Sequence, residues 1–301
     1  MDSEAQETRS SDLPDLQLRE KVYKGIRMSE NEIEEIEVMD IRSDDIWVAS
    51  HPRSGTTVTQ EMTYLIVTED FESAKKVQLD DRFPIIEVKD DRFPFYRGLK
   101  YLEKMQKTRF IKTHLPYFLL PKQIHQAQGR VIYVARNPKD SCISLYRFLR
   151  YFKWCDNSVT FEMFFERFMK GDVFAGSWWN HVREYWEHRD DTNVLFIKYD
   201  DIIEDKTTVI RQIADFLGKK NISDELVEEI SNHCSFQNMK ENKAVNFSYA
   251  ESIKQTDTTT FTGLIDTGQI GGRREVYTEE MLKRMDDKFQ RKLGGTGLTF
   301  S

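Results

Sequence analysis

The chain has 301 residues, 39% hydrophobic and 32% charged, with a net charge of -7. That is enough apolar material for one large domain or two small ones, and a mildly acidic, well-mixed charge that argues against a nucleic-acid partner. No apolar run is long enough to span a membrane, the three scattered cysteines (Cys142, Cys155, Cys234) form neither a CxxC pair nor a disulfide framework, and the polar, acidic start is unlike a signal peptide, so a cytoplasmic protein is expected.

Residues 1 to about 20 read as disordered and 21–301 as a single domain, because no repeat of domain size is visible. The first strand is predicted over 46–50, rich in apolar residues. It runs into HPRSGTT and then a helix with Val58, Met62, Leu65 and Ile66 on one face. HPRSGTT looks like a phosphate-binding loop with parts missing. A Walker loop needs two glycines and then Lys, whereas here Gly55 stands alone and the cation, Arg53, precedes it. The loop N–H groups, with Ser54, Thr56 and Thr57, can surround an anion at a helix N-terminus; an ordinary strand-to-helix turn gives the same pattern. The tetrad DRFP, at Asp81 and again at Asp91, reads as a Pro-punctuated loop.

The second strand is predicted over 109–112. At its exit Lys112 and His114 stand two apart, so on an extended chain they face the same way. A cation and an imidazole then point together into a crevice, and His is the natural general base near neutral pH. His125, His181, His188 and His233 sit in helical stretches with no catalytic partner. The third strand, 131–135, delivers Arg136; Asn137 and Pro138 suit the cap and first turn of a helix with Cys142, Leu145, Tyr146 and Leu149 on one face. Ser144 lies off that stripe. With Arg136 it could grip a second phosphate, although either residue alone reads as an ordinary surface residue. A fourth strand, Val194–Lys198, precedes a helix built on Val209, Ile210, Ile213, Ala214, Phe216 and Leu217, with Gly218 as its stop, and LGGTGLTFS reads as a loose tail. Strands alternating with helices imply an α/β fold, a parallel sheet covered on both faces, with ligands beyond the carboxyl ends of the strands.

The segments DIWVASHPRSGTT, RFIKTHLPYFLLP, VIYVARNPKDSCISLYRF, GSWWNHVREYW, LFIKYDDI and HCSFQNMKENK, in this order and spacing, resemble the cytosolic sulfotransferases from about residue 30 to 290. The resemblance implies the P-loop-like sulfotransferase fold, 3′-phosphoadenosine-5′-phosphosulfate (PAPS) as co-substrate, no metal, and a small-molecule acceptor. It implies that Arg53, Ser54, Gly55, Thr56 and Thr57 surround the 5′-phosphate, that Arg136 and Ser144 bind the 3′-phosphate, and that Tyr199, Cys234, Ser235, Phe236 and Met239 line the adenine and ribose side. His114 is then the base, assisted by Lys112.

This chain departs from the family pattern where the usual loop Lys is Arg53, where an aromatic residue is Val58, and where a C-terminal Arg-Lys-Gly clamp is replaced by Asp266-Thr267-Gly268. Arg273 and Arg274, close by in a Gly-rich loop, are expected to form a displaced phosphate clamp. The family's dimer motif keeps Arg274 and Thr278 but has Lys283 in place of an acid, which leaves a homodimer open. Candidate acceptor-pocket residues are Phe83, Phe93, Phe95, Tyr96, Tyr117, Phe118, Phe148 and Phe152, each of which alone reads equally well as core. Two other classes stay in view: a sulfotransferase-fold protein that binds nucleotide with little catalysis, and a P-loop kinase, which would need a Walker Lys and a metal-binding acid.

Overall fold

A parallel sheet organises the chain. The structure, a computed structural model, describes residues 20–29, 33–88, 97–248, 268, 270–272 and 274–301. Its central sheet has four strands: β3 (Ile46–Ala49), β4 (Phe110–Thr113), β5 (Arg130–Ala135) and β6 (Val194–Lys198), in the order β4-β3-β5-β6. All three pairings are parallel, and β3 aligns Ile46 with both Phe110 and Arg130. Each strand lies within a residue of the expected span.

Alternation along the strands feeds two cores. Trp47, Ala49, Ile111, Val131, Tyr133 and Ala135 face one side. Ile46, Val48, Phe110, Ile132, Val134 and Ile197 face the other. The second side is covered by helices Thr56–Thr68 and Lys206–Phe216 through the expected faces, Met62, Leu65 and Ile66 on one and Val209, Ile210, Ile213 and Ala214 on the other. The first side is covered by helices Pro138–Tyr151, Phe161–Lys170 and Trp178–Glu187, whose aromatic residues fill it. Both faces of the sheet are therefore apolar, as parallel strands require. Gly218, with φ of +81°, follows helix Lys206–Phe216 as a stop.

Two features correct the sequence reading. A hairpin of β1 (Glu20–Tyr23) and β2 (Ile26–Ser29) precedes the sheet. Its turn, Lys24-Gly25, has φ of +47° and +80°, the positive pair a two-residue hairpin turn demands. The C-terminal stretch is not loose. Leu298 is buried, Phe300 packs on Trp178 with ring centroids 5.8 Å apart, Trp186 Nε1 donates to the Thr296 carbonyl, and Ser301 N donates to Asp200 Oδ2 at 2.9 Å. Two tryptophans supply an apolar shelf and an indole donor that short tail residues can meet, a partnership set by long-range packing.

The first DRFP is also more than a loop. Arg82 ends helix Leu79–Arg82 and is buried against Glu61, which His233 also contacts at 3.2 Å. The second DRFP begins within 89–96, outside the described residues, as residues 1–19 are.

Candidate active site

Four strand exits converge on one cavity of about 250 Å³. The loop after β3 turns tightly, with Arg53 at φ +69° and Gly55 at φ +104°. A Cβ at Gly55 would lie 2.5 Å from the Tyr199 ring, so the position accepts glycine alone. Helix Thr56–Thr68 starts at Gly55 without a side-chain cap, leaving its first amides to a ligand or solvent. Thr56 Oγ1 lies 2.6 Å from Ser50 Oγ, and the buried Ser54 Oγ, which does not line the cavity, has no hydrogen-bond partner among the described residues. Arg53 Nε donates to Ser144 Oγ at 3.2 Å, and its guanidinium lies 5.1 Å from the Phe148 ring centre. The loop after β3 and the helix after β5 are thus joined.

At the exit of β4, Lys112 and His114 both line the cavity, as their two-residue spacing requires. His114 Nδ1 is 2.8 Å from the Ser50 carbonyl oxygen. A carbonyl only accepts, so Nδ1 carries the proton and Nε2 keeps its lone pair. Burial first, and then the Lys112 charge, holds the His114 pKa well below 6.5, so the ring is neutral at physiological pH. Burial also lowers the Lys112 ammonium, while Asp80 and Glu87 act against that.

Behind His114 stands a buried relay of other rings. His181 Nε2 lies 3.1 Å from the His114 carbonyl oxygen, and Tyr133 Oη lies 2.9 Å from His181 Nδ1. Burial lowers His181 to about 3 and His51 to about 4, so both are neutral packing residues.

From β5, the Arg136 guanidinium sits 4.5 Å from the centre of the Tyr199 ring and reaches the Arg53 carbonyl at 3.5 Å. Asn137 caps helix Pro138–Tyr151 through Lys139 N at 2.9 Å, with Pro138 in its first turn. Cys234, Phe236 and Met239 line the same cavity. Ser235 does not line it; its hydroxyl caps helix Phe236–Glu241. Gly268 packs so closely on Phe236 that a Cβ there would stand 2.2 Å from the ring.

An aromatic wall adjoins the cations, with Phe148 5.1 Å from the Arg53 guanidinium and Phe247 5.8 Å from Lys112 Nζ. Phe148 and Phe152 belong to it, and it also takes in Trp154, Phe174, Phe247, Ile85 and Val88, none of which the sequence singled out. Three expected pocket residues are elsewhere. Phe83 is fully buried in the core beneath the sheet, 5.0 Å from the Phe110 ring. Tyr117 stacks on His188, with His125 and Tyr185 edge-on to it, and does not line the cavity. Phe118 is exposed. Aromatic composition does not say which side of a sheet a ring occupies. Phe93, Phe95 and Tyr96 lie outside the described residues, and so do Arg273, Asp266 and Thr267.

Arg274 has a protein partner next to the cavity. Its Nε meets Asp140 Oδ1 at 3.2 Å, and the same carboxylate accepts from Gly271 N at 2.9 Å. Asp140 is buried, so it needs a cation and donors, and Arg274 supplies the cation.

The donor set fits a nucleotide with two phosphate groups. Five cationic side chains, Arg53, Lys112, Arg136, Arg147 and Lys206, line one cavity with the uncapped helix Thr56–Thr68, and Gly268 packs on the Phe236 ring in the same lining. The family profile described as a sulfotransferase domain matches residues 43–297. The chain belongs to the sulfotransferase family. It is 33% identical to human sulfotransferase 4A1 over 282 residues, covering 92% of this chain and 91% of that one. It is 41% identical over 231 residues to luciferin sulfotransferase of Photinus pyralis, covering 71% of this chain and 61% of the relative. Among solved structures it is similar to retinol dehydratase in complex with androsterone and the inactive cofactor PAP, with a TM-score of 0.84, 29% identity, and coverage of 92% of this chain and 89% of that one. No helix among the described residues is long and apolar enough to cross a membrane.

Glu87 is the residue the sequence reading missed most plainly. It is fully buried, three residues past Pro84, with Oε1 accepting from His114 N at 2.6 Å and Oε2 from Thr113 Oγ1 at 3.0 Å. Burial raises its pKa to about 7 against those hydrogen bonds and the Lys112 charge. No spacing rule links position 87 to position 114, because only the fold sets them side by side.

Proposed function

We propose that this protein moves the sulfonate group of PAPS to a hydroxyl, or an amine, of a small apolar or phenolic acceptor, with His114 as general base. The observation that carries the reading is the His114 contact: Nδ1 lies 2.8 Å from the Ser50 carbonyl, a pairing that leaves the Nε2 lone pair available beside Lys112 in a cavity lined by cations and aromatic rings. A base in this state takes the acceptor proton at neutral pH without first losing one of its own.

Arg53, Gly55, Thr56 and Thr57, with the first amides of helix Thr56–Thr68, suit the 5′-phosphate. Arg136 and Ser144 suit the 3′-phosphate. Phe236, packed by Gly268, and Tyr199, Cys234 and Met239 suit the base and sugar. When bound, the nucleotide supplies an activated sulfonate on a phosphate leaving group. Lys112 and Arg53 bring fixed positive charge to the cavity where His114 stands, and charge aimed in a water-poor site is the strongest lever on such a transfer. Phe148, Phe152 and Trp154 offer the acceptor an apolar slot. The PAP bound in retinol dehydratase supports the same nucleotide here, and the androsterone bound there supports an apolar acceptor. A cytoplasmic location and a monomer or homodimer belong to this proposal through the family resemblance.

A second reading, nucleotide-dependent binding with little turnover, is favoured by Arg53, whose broad guanidinium lies over Phe148 and engages Ser144. Pure protein with labelled PAPS and a panel of phenols, steroids, long-chain alcohols and amines separates the two. Label in an acceptor at a rate far above the enzyme-free control supports transfer. PAP binding with no labelled product from any acceptor supports the second reading.

A further inference from the structure

β4 is an outer strand of the sheet, so the N–H groups on its free edge need partners from elsewhere. The segment that follows helix Leu79–Arg82 provides them. Lys112 N donates to the Pro84 carbonyl at 3.0 Å, and Ile85 bridges to Lys112 in parallel fashion. Two residues further along, beyond the end of β4, His114 N faces the same edge. There the main chain of the segment no longer supplies a carbonyl, and the Glu87 carboxylate takes its place at 2.6 Å. Its other oxygen accepts from Thr113 Oγ1, which in turn accepts from Leu115 N at 3.1 Å. Glu87 thus fixes three successive residues, 113 to 115, around the histidine. On the opposite edge, the imidazole reaches across to the Ser50 carbonyl. Ile85 and Val88, neighbours of Glu87 on the same segment, line the cavity.

We infer that Glu87 is a positioning residue for sulfonate transfer: its carboxylate ties the acceptor-facing segment 84–88 to the His114 main chain and so sets where the His114 Nε2 lone pair stands. The inference rests on the proposed role of His114 as base. It differs from that role in mechanism, because Glu87 touches no reacting atom. Reach is what matters, more than charge. The buried carboxylate spans from the segment to the His114 amide, and shortening the side chain by one methylene withdraws the acceptor oxygen from that amide. A misplacement of about 1 Å at a reacting group can cost about 100-fold in rate.

The test is a pair of variants on the whole chain. Glu87→Asp keeps the charge and loses reach; Glu87→Gln keeps reach and loses the charge, since its amide oxygen still accepts from His114 N. For each, kcat and KM are measured on an acceptor the parent turns over, with the Kd for PAP by calorimetry and hydrogen exchange at the His114 amide. The expected result is a kcat for Glu87→Asp at least about tenfold below that of Glu87→Gln, faster exchange at the His114 amide in Glu87→Asp, and PAP affinity held within about twofold in both, as a positioning role distinct from nucleotide binding requires. Equal kcat in the two variants, a lower kcat for Glu87→Gln, or a loss of PAP affinity in step with kcat overturns the inference. If the parent turns over no acceptor, the base assignment has failed and exchange alone decides Glu87: a His114 amide equally protected in both variants refutes its reach-dependent bond.

Discussion

The two kinds of lining in the cavity are made in different ways. The proposed nucleotide side is main chain and strand exits: a glycine turn after β3, uncapped amides at Thr56–Thr68, and Arg136 as the first residue beyond β5. The proposed acceptor side is side-chain wall gathered from distant segments, with Val88, Phe148, Trp154, Phe174 and Phe247 meeting only in the folded chain. A site of the first kind tolerates little change, since its chemistry is fixed by backbone geometry. A wall of the second kind can be rebuilt residue by residue, which is how one fold serves many acceptors. His114 stands where the two meet, and substitutions on either side of it should separate the two.

The largest effect is expected at the junction. His114→Ala should lower turnover by about 10²–10⁴-fold while PAP affinity stays near the parent value. A fall in PAP affinity matching the fall in turnover would mean that the two are not separable at this residue.

The wall behind His114 gives a test in pH. Among the described residues, the groups acting on Glu87 include Lys112 and the His114 amide at the β4 exit and Tyr185 from helix Trp178–Glu187. Its folded pKa of about 7 lies above the ordinary 4.5. The group therefore adds stability that is fully present below pH 4.5 and is lost as pH rises through about 7. Between pH 4.5 and 8, the stability of the parent relative to Glu87→Gln should fall by on the order of 3 kcal/mol. Urea unfolding of both proteins across that range reads the slope. A difference independent of pH would show that Glu87 is not titrating as a buried acid.

On the proposed nucleotide side, Arg136→Ala should weaken PAP binding by about 1.5–3 kcal/mol, the value of a charge-assisted contact, with little change in acceptor KM. Equal affinity in calorimetry would remove Arg136 from the 3′-phosphate site. The smallest effect is expected at Arg274. Because it pairs with Asp140 and its side chain is about one-third exposed, Arg274→Ala should cost PAP binding under about 1 kcal/mol. A loss as large as that of Arg136→Ala would restore a direct phosphate contact.

This contrast also explains what the sequence could and could not say. Strand exits are legible because short apolar runs followed by Gly, Lys or Arg mark where a parallel sheet delivers side chains, and Arg53, Lys112, His114 and Arg136 all emerged that way. Wall residues carry no such mark. Phe83 and Phe148 look alike in composition, yet one is core under the sheet and the other lines the cavity. Glu87 and Asp140 were invisible because their partners lie 27 and 134 residues away in the chain. The docked tail escaped notice for the same reason, since Trp178 and Trp186 supply its shelf.

The most direct test of the central claim is the protonation state of one ring. In ¹⁵N-histidine NMR of the protein at pH 7, with the His114 signals assigned by their loss in His114→Ala, the account predicts a neutral ring with the proton on Nδ1 and a bare Nε2. An imidazolium, or a neutral ring with the proton on Nε2, would contradict it, because His114 would then have no lone pair to offer the acceptor.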